Sequence, residues 1–487
     1  MTWLLPLLFG TVSGMLTAFP LAAWLSTLLL LRASRVLPPA KAYAAIVLAL
    51  SVTAFINTRG LAPVDIGTGV LMAVSGALVV GLVFLADRLL HARLNRWAAL
   101  LLFPAGLTFL EFSSAAGSPF GSWGSLAYSQ FGVLPLMQLA SVTGIWGITF
   151  LIALCASVVN LVWQEGWRAT RPVLAAYLAL LAVVGLYGFN RLMAPLEGPN
   201  VQIAGLTVPT ATPSGELLER ALTAGADAAA WQEIEAAAAL VSERLLDLSA
   251  QEASAGARII LWSEGNALVP AEGESALLER ARGIAGEHDA YLAMALATVT
   301  RRDPLQLRNH LVLVGPQGVL WDYDKAKLVP GVEDRIVLPS TASIPVAETP
   351  FGRISGAICF DTDFPPLLYE AGKQQVALLL SPARDWAEID PLHTQQAIFR
   401  AIEQGFTIVR QAHGSWSVVA DPRGRVLAEL PHSPDGGVMR ANVPVSRLPA
   451  PYTDLGDLFP FACMIAFVGL VGTGAMAARE GHDAPLN

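Results

Sequence analysis

Charge is scarce in this chain: only 14% of its 487 residues are Asp, Glu, Lys or Arg, against 54% hydrophobic. That proportion is too apolar for an ordinary soluble enzyme, so part of the chain belongs in a bilayer. Positive charge in excess is missing too. The formal net charge of -8 leaves no basic stripe to displace counterions from phosphates, and nucleic acid is excluded as a partner. Cysteine is nearly absent, with three residues, Cys155, Cys359 and Cys463, and no disulfide framework. Cys155 and Cys463 fall in apolar runs and read as small core residues, which leaves Cys359 as the one cysteine of the polar part.

The apolar residues concentrate before about residue 190 and again between Leu458 and Ala478. A bilayer-crossing helix needs about 20 of them. Candidate spans run over 3–18, 20–34, 42–57, 67–88, 96–112, 141–163 and 172–189, with an eighth over 458–478. The first two are short and read as a tight helical pair broken at Phe19-Pro20. Met1 to Pro6 carries no basic stretch, so the start does not read as a cleaved signal peptide. The expected organisation is a transmembrane domain of about seven spans over 1–195, a polar domain over 200–449, and a C-terminal transmembrane helix over 456–480.

Basic residues alternate by connection. Arg32, Arg35 and Lys41 follow span two, Arg88, Arg93 and Arg96 follow span four, and Arg168 and Arg171 follow span six. The intervening connections hold few: Arg59 after span three, and none between Glu111 and Gly144. By the positive-inside rule the N-terminus is cytoplasmic, seven spans put the polar domain outside, and the eighth brings the C-terminus back. The Glu111 to Gly144 connection is rich in Gly, Ser and aromatics. It reads either as a loop packed at the outer leaflet, with Trp123 and Tyr128 as interface anchors, or as a lid or lipid portal.

After Pro199 short β-rich runs alternate with helical stretches: Val201–Leu206, Arg258–Trp262, Tyr291–Leu296, His310–Gly315, Ile354–Cys359, Val376–Ser381, Phe406–Arg410, Trp416–Asp421 and Val438–Val443. Ser214 to about Ala253 has the periodicity of an amphipathic helical pair, and Trp416–Asp421 with Arg425–Leu430 that of a hairpin. An α/β domain with mixed sheets follows.

Three of these strand-like runs end on reactive side chains: Arg258-Ile-Ile-Leu-Trp-Ser-Glu264, Val319-Leu-Trp-Asp-Tyr-Asp-Lys325 and Ile354-Ser-Gly-Ala-Ile-Cys359. A base, a cation and a soft nucleophile at the mouth of one sheet suit acyl transfer through a thioester. Placed after an apolar strand, Glu264 is expected to have a raised pKa, and Cys359, at a strand-to-helix turn, to be favoured as thiolate. Taken singly, Glu264 or Lys325 reads as readily as a solvated surface charge, and Cys359 as inert core. Glu333 and Asp361 stand near these motifs as supporting acids, read either as orienting Lys325 or Glu264 or as plain helix caps or surface charges.

Together these residues resemble the apolipoprotein N-acyltransferase family of the nitrilase, or carbon-nitrogen hydrolase, superfamily. Trp262-Ser-Glu264 is similar to the family's Trp-Pro-Glu, Tyr323-Asp-Lys325 with Leu328-Val-Pro330 to its Tyr-x-Lys-x-x-Leu-Val-Pro, and Ile358-Cys359-Phe360-Asp361 to its Ile-Cys-Tyr-Glu. Phe399–Glu403, Asp421–Arg425, Tyr128-Ser-Gln130, Pro135–Leu139 and Gly456-Asp457 match further family stretches. The resemblance implies an α-β-β-α sandwich beside the membrane helices. It also implies a Glu264–Lys325–Cys359 triad, a phospholipid acyl donor, and the amine of a lipid-modified apolipoprotein as acceptor. No metal or cofactor is implied, and the expected setting is the bacterial inner membrane with a monomeric enzyme whose catalytic domain faces the periplasm. Departures gather around the site: Gly205–Pro209 replaces Gln-Gly-Asn, Gly331-Val-Glu333 replaces Phe-Gly-Glu, and Ala383-Arg-Asp-Trp-Ala-Glu388 replaces Asn-Asp-Ala-Trp-Phe-Gly. The competing readings are a membrane-tethered amidase or nitrilase that delivers its thioester to water, an acyltransferase with another acceptor, and a scaffold with a degenerate site.

Overall fold

The computed structural model describes residues 4–15, 19–59, 65–209 and 227–480. The chain divides into two units, one formed by Met1–Ala194 with Asp454–Asn487 and the other by Pro195–Thr453.

Among the described residues of the first unit, six helices are long and apolar enough to cross a membrane: Pro39–Thr58, Ile66–Arg93, Arg96–Gly117, Trp146–Glu165, Arg171–Met193 and Leu458–Ala478. The expected initial pair is present as two separate helices, Leu4–Gly14 and Pro20–Val36, both shorter than these. Side-chain contacts fix which helix ends lie together. At one end Arg35 makes a bidentate pair with Asp87 at 2.8 Å, Arg88 donates to Leu37 O, and Arg96 pairs with Glu165 at 2.7 Å. Arg32 lies over the Trp163 ring at the same end. At the opposite end Tyr187 and Ser141 hydroxyls meet at 2.8 Å, and Trp146 Nε1 donates to Asp457 Oδ1 at 3.3 Å. The chain therefore leaves this unit at Ala194 and re-enters at Asp454 on the end away from Arg32, Arg35, Arg88 and Arg96.

The Glu111 to Gly144 connection is ordered by Glu111 itself. Its carboxylate accepts from Ser125 Oγ at 2.9 Å, Leu126 N at 3.1 Å and Thr149 Oγ1 at 2.7 Å. Trp24 Nε1 donates to the buried Gln130 Oε1 at 2.9 Å. The C-terminal helix packs along Arg96–Gly117 through aromatic pairs, Phe461 with Phe112 and Phe467 with Phe109. Gly106 permits this approach, since a Cβ there would come within 2.6 Å of the Phe467 ring.

The second unit is a four-layered α-β-β-α sandwich. One sheet runs in the order β13 (Gly437–Pro444), β1 (Asn200–Thr207), β2 (Ile259–Trp262), β4 (Tyr291–Arg302), β5 (Leu305–Gly315) and β6 (Gly318–Asp324), with β3 (Ala267–Pro270) beside β4. The other runs β12 (Val426–Leu430), β11 (Ser417–Ala420), β10 (Thr407–His413), β9 (Leu378–Arg384), β8 (Gly352–Gly356) and β7 (Val346–Thr349). Strands β1, β2 and β4 are parallel, as are β8, β9 and β10, so the ends of β2 and β9 open where a site can form. Continuous apolar runs such as Ile259–Trp262 and Leu378–Leu380 are buried throughout, as expected for strands covered on both faces.

Helices Ala228–Ser254 and Ala271–His288 cover the first sheet, and Pro365–Lys373 and Leu392–Gln404 the second. The first begins at Asp227, whose side chain caps Ala230 N at 2.8 Å, and buries Trp231, Ile234, Ala238, Leu245 and Ser249 at helical spacing. Ser249 Oγ accepts from Trp262 Nε1 at 2.9 Å, tying that face to the end of β2. Of the pair expected over Ser214–Ala253, the described part is this single helix; residues 214–226 lie outside the described residues. The Trp416–Asp421 and Arg425–Leu430 hairpin is present as antiparallel β11 and β12. The run ending on Cys359 is shorter than expected, because β8 stops at Gly356 and Cys359 opens a 3-10 turn over Cys359–Asp363.

Candidate active site

Glu264, Lys325 and Cys359 converge at one end of the two sheets. Glu264 lies just past β2, Lys325 directly follows β6, and Cys359 stands three residues beyond β8, all of them buried. Lys325 Nζ donates to Glu264 Oε1 at 2.7 Å and to Glu333 Oε1 at 2.8 Å. That uses two of the three ammonium protons and leaves the third for an incoming oxygen. Glu333 is in turn fixed by Val329 N, which donates to its Oε2 at 2.8 Å.

Cys359 adopts φ +48°, a left-handed conformation that a side chain rarely takes. Backbone strain of this kind persists only where the surroundings over-determine it. Here Asp361 supplies much of that restraint. Its Oδ2 accepts from Ile358 N and from the Tyr323 hydroxyl, both at 2.9 Å, and its Oδ1 accepts from Lys327 N at 2.8 Å. One carboxylate thus caps the Cys359 turn through Ile358 N, one of the alternatives the sequence left open, and ties that turn to the segment carrying Lys325. Burial, opposed by the Lys325 charge and these hydrogen bonds, pushes Asp361 up to about 7.

Two electrostatic expectations are corrected. Burial alone would raise Glu264, but the adjacent Lys325 ammonium and the hydrogen bonds from Lys325, Asn309 and the Cys359 thiol outweigh it and hold the carboxyl below its usual range. The Cys359 thiol is pushed well up, by burial first and then by the Glu264 charge, against the opposing pull of Lys325. Lys325 stays protonated, because the Glu264 and Glu333 carboxylates overcome the cost of burying it. The resting site therefore holds a neutral thiol beside an ionised carboxylate and an ammonium.

Several residues of the site were not assigned a role from the linear sequence. Asn309 Nδ2 donates to Glu264 Oε1 at 2.7 Å and Glu333 Oε1 at 3.1 Å, while its carbonyl accepts from Lys325 N at 2.9 Å. Arg384 N donates to Glu264 Oε2 at 2.9 Å, and Arg384 O lies 3.8 Å from Cys359 Sγ. Asp385 Oδ1 is 3.7 Å from the same sulfur. Behind it is a buried ion network: Arg410 Nη2 donates to Asp385 Oδ2 at 2.9 Å, Ser415 Oγ donates to Asp385 Oδ2 at 2.6 Å, and His393 lies between Asp385 and Asp363 at 2.7 and 3.1 Å. Burial and the Arg410 charge work against the His393 imidazolium, yet the two flanking carboxylates raise it to about 9. A polar pair in an apolar strand, Asn309-His310, and a His at the start of a buried helix were the available signals.

Cys359, Asp385 and His393 offer donor atoms within 4.8 Å of one another, as do Glu274, His310 and Asp322. Neither set fits a cation. In the first, Arg410 Nη2 already lies 2.8 Å from His393 Nδ1 and on Asp385; in the second, the Arg308 guanidinium lies on Asp322 at 2.9 Å. Both read as networks of fixed charge.

Comparison with known proteins agrees with both units. Residues 8–158 match the apolipoprotein N-acyltransferase N-terminal domain, and residues 214–450 match the carbon-nitrogen hydrolase family. An apolipoprotein N-acyltransferase of Geobacter metallireducens is 27% identical over 88% of this chain and 84% of its own length. One from Bradyrhizobium diazoefficiens is 26% identical over 77% and 73%. Among solved structures, a mutant of an amidase from Nesterenkonia AN1, of the nitrilase superfamily, covers 54% of this chain and 95% of its own at 22% identity, with a TM-score of 0.42. With its apolar helices, its sandwich and both halves matched in order, the chain belongs to the apolipoprotein N-acyltransferase family within the carbon-nitrogen hydrolase superfamily.

Proposed function

We propose that this protein moves an acyl chain from a phospholipid, through a thioester on Cys359, to the N-terminal amine of a lipid-modified cysteine in apolipoproteins. The observation that carries the reading is a thiol, a carboxylate and an ammonium buried together in a chain that also carries six membrane-length helices. In the first step Cys359 Sγ bonds to the ester carbonyl carbon while its proton passes to Glu264. The oxyanion takes the third N–H of Lys325. Collapse breaks the bond to the glycerol oxygen, which leaves as lysophospholipid with the proton from Glu264. In the second step the neutral amine attacks the thioester and gives a proton to Glu264, the C–S bond breaks, and that proton returns to sulfur. The sum is phospholipid plus amine giving lysophospholipid plus amide. One chain supplies all these groups, so a monomer suffices.

The acceptor is the discriminating substrate. The full chain in phospholipid vesicles, given a diacylated lipopeptide with a free N-terminal cysteine, should raise the lipopeptide mass by one acyl chain and release one lysophospholipid per product. Free fatty acid with unchanged lipopeptide would instead support the tethered hydrolase.

We further propose that Pro195–Thr453 faces away from the cytoplasm in the bacterial inner membrane. Support comes from the gathering of Arg32, Arg35, Arg88 and Arg96 at one end of the helices and of Ala194 and Asp454 at the other, which does not depend on how the initial pair is counted. A reporter that fluoresces only in the cytoplasm should light up when fused after Ala478 and stay dark when fused near Asn190. The reverse pattern would refute this orientation.

A further inference from the structure

The carboxylates around the nucleophile already have partners. Glu264 and Glu333 share Lys325, Asp385 has Arg410 and His393, and Asp361 has Tyr323 with two backbone N–H groups. One cation at the same place has no such match. Arg384 closes β9 with its backbone inside the site, its N–H on Glu264 and its carbonyl beside Cys359, but its side chain is exposed. Among the described residues no carboxylate pairs with it, and its guanidinium donates only from Nη1 to Gly265 O at 3.3 Å.

The neighbouring backbone makes room for that placement. Gly265 has φ +64°, and a Cβ on it would meet Arg384 Cδ and Nη1 at 3.1 Å. The guanidinium thus lies over the turn that follows the general base and keeps the rest of its donor fork toward solvent. Its field is not cancelled locally: His413, opposite Arg384 in the parallel register of β9 and β10, is held down to about 4 by burial and then by the Arg384 charge. An exposed planar fork of donors at the rim of a thiol site fits a tetrahedral or planar oxyanion, which it binds through paired hydrogen bonds.

We infer that Arg384 is the recognition residue for the phosphodiester of the acyl donor. The inference rests on the phospholipid reading above. In such a donor the phosphate lies only a few bonds from the ester carbonyls, so a group gripping it at the rim places the carbonyl over Cys359 and orders the headgroup before any bond is broken. Arg384 acts on binding; the carboxylate, ammonium and thiol act on the acyl carbon.

The test compares two donors with the same acyl esters, phosphatidylglycerol in vesicles and diacylglycerol in a neutral detergent. Rates of Cys359 acylation are read by intact mass for the wild-type full chain, Arg384→Ala and Arg384→Lys. Loss of a charge-assisted pair of hydrogen bonds should reduce the Arg384→Ala reaction with phosphatidylglycerol at least about tenfold more than that with diacylglycerol. The difference should appear in KM, and Arg384→Lys should recover part of it. Equal losses on both donors would show that the side chain only props the Gly265 turn, and no loss on either would show no role; both overturn the inference while leaving the proposed function intact. A wild-type chain acylated by diacylglycerol but not by phosphatidylglycerol would overturn the phospholipid reading and this site with it.

Discussion

Incubated with phospholipid, the full chain should gain the mass of one acyl group on the peptide that contains Cys359, and hydroxylamine should remove it. Three features motivate this result. Cys359 is the only cysteine of the sandwich, its turn is held in a left-handed conformation by Asp361, and Glu264, the proposed base, is ionised. Both Cys359→Ala and Cys359→Ser should abolish the adduct. The serine hydroxyl is the sharper control, because it retains size and hydrogen bonding but is far harder to deprotonate with the same carboxylate. The raised thiol adds a second expectation. Simple alkylating reagents should modify Cys359 slowly at neutral pH, since little thiolate exists before substrate arrives. Equal acylation of Cys155 or Cys463 would remove Cys359 from its assigned role.

The second large effect concerns its neighbours. Glu264→Gln should lower turnover on the order of a hundredfold or more, as should Lys325→Met. The two losses have different origins. Glu264→Gln keeps the shape but removes the proton acceptor, and it leaves an amide whose N–H₂ must face either Arg384 N or the donors from Lys325 and Asn309. Lys325→Met removes the oxyanion partner and also leaves Glu264 and Glu333 together without the cation between them. One of the two carboxylates should then hold a proton, and removing one partner of the buried Lys325–Glu264 ion pair costs about 3–5 kcal/mol. Thermal melting should place both variants below wild type, with Lys325→Met the lower, because in Glu264→Gln the ammonium keeps Glu333 as its partner. Lys327→Met should be mild. Its backbone N–H makes the contact with Asp361, while its ammonium lies only over the Phe364 ring at 4.9 Å, a contribution of about 1 kcal/mol. An essential Lys327 side chain would mean that the lysine assignment is wrong.

Sequence drew attention to Glu264, Lys325 and Cys359 because each ends a short strand-like run, and strand ends are where a sheet exposes side chains. It did not reveal the sign of the Glu264 shift. Burial was predictable from the flanking Ile, Leu and Trp, but the Lys325 ammonium at 2.7 Å is a tertiary contact across 61 positions, and it outweighs burial. Asp385, His393 and Arg410 were missed for a related reason. Each alone reads as a surface charge, and only the adjacency of β9 and β10 with the Leu392–Gln404 helix turns them into one buried network. The short strands β3 and β7 escaped notice, since four residues hold too little alternation to separate strand from loop. Helix periodicity, by contrast, placed the end of Ala228–Ser254 within a residue, because a single face carries its core; the start of the expected pair lies outside the described residues.

The pairing of Gly106 with Phe467 has a consequence for synthesis. These two residues touch in the finished membrane unit, yet about 360 residues separate them, and translation at roughly 5–20 residues per second spans that interval in something like 20 to 70 seconds. During that time the Arg96–Gly117 helix is already made while the helix that covers Gly106 does not exist. The notch must be filled by lipid or guarded by the insertion machinery, and the whole sandwich is translated before the last helix can close it. Chains arrested before Leu458 should therefore be the ones that membrane quality control recognises and removes.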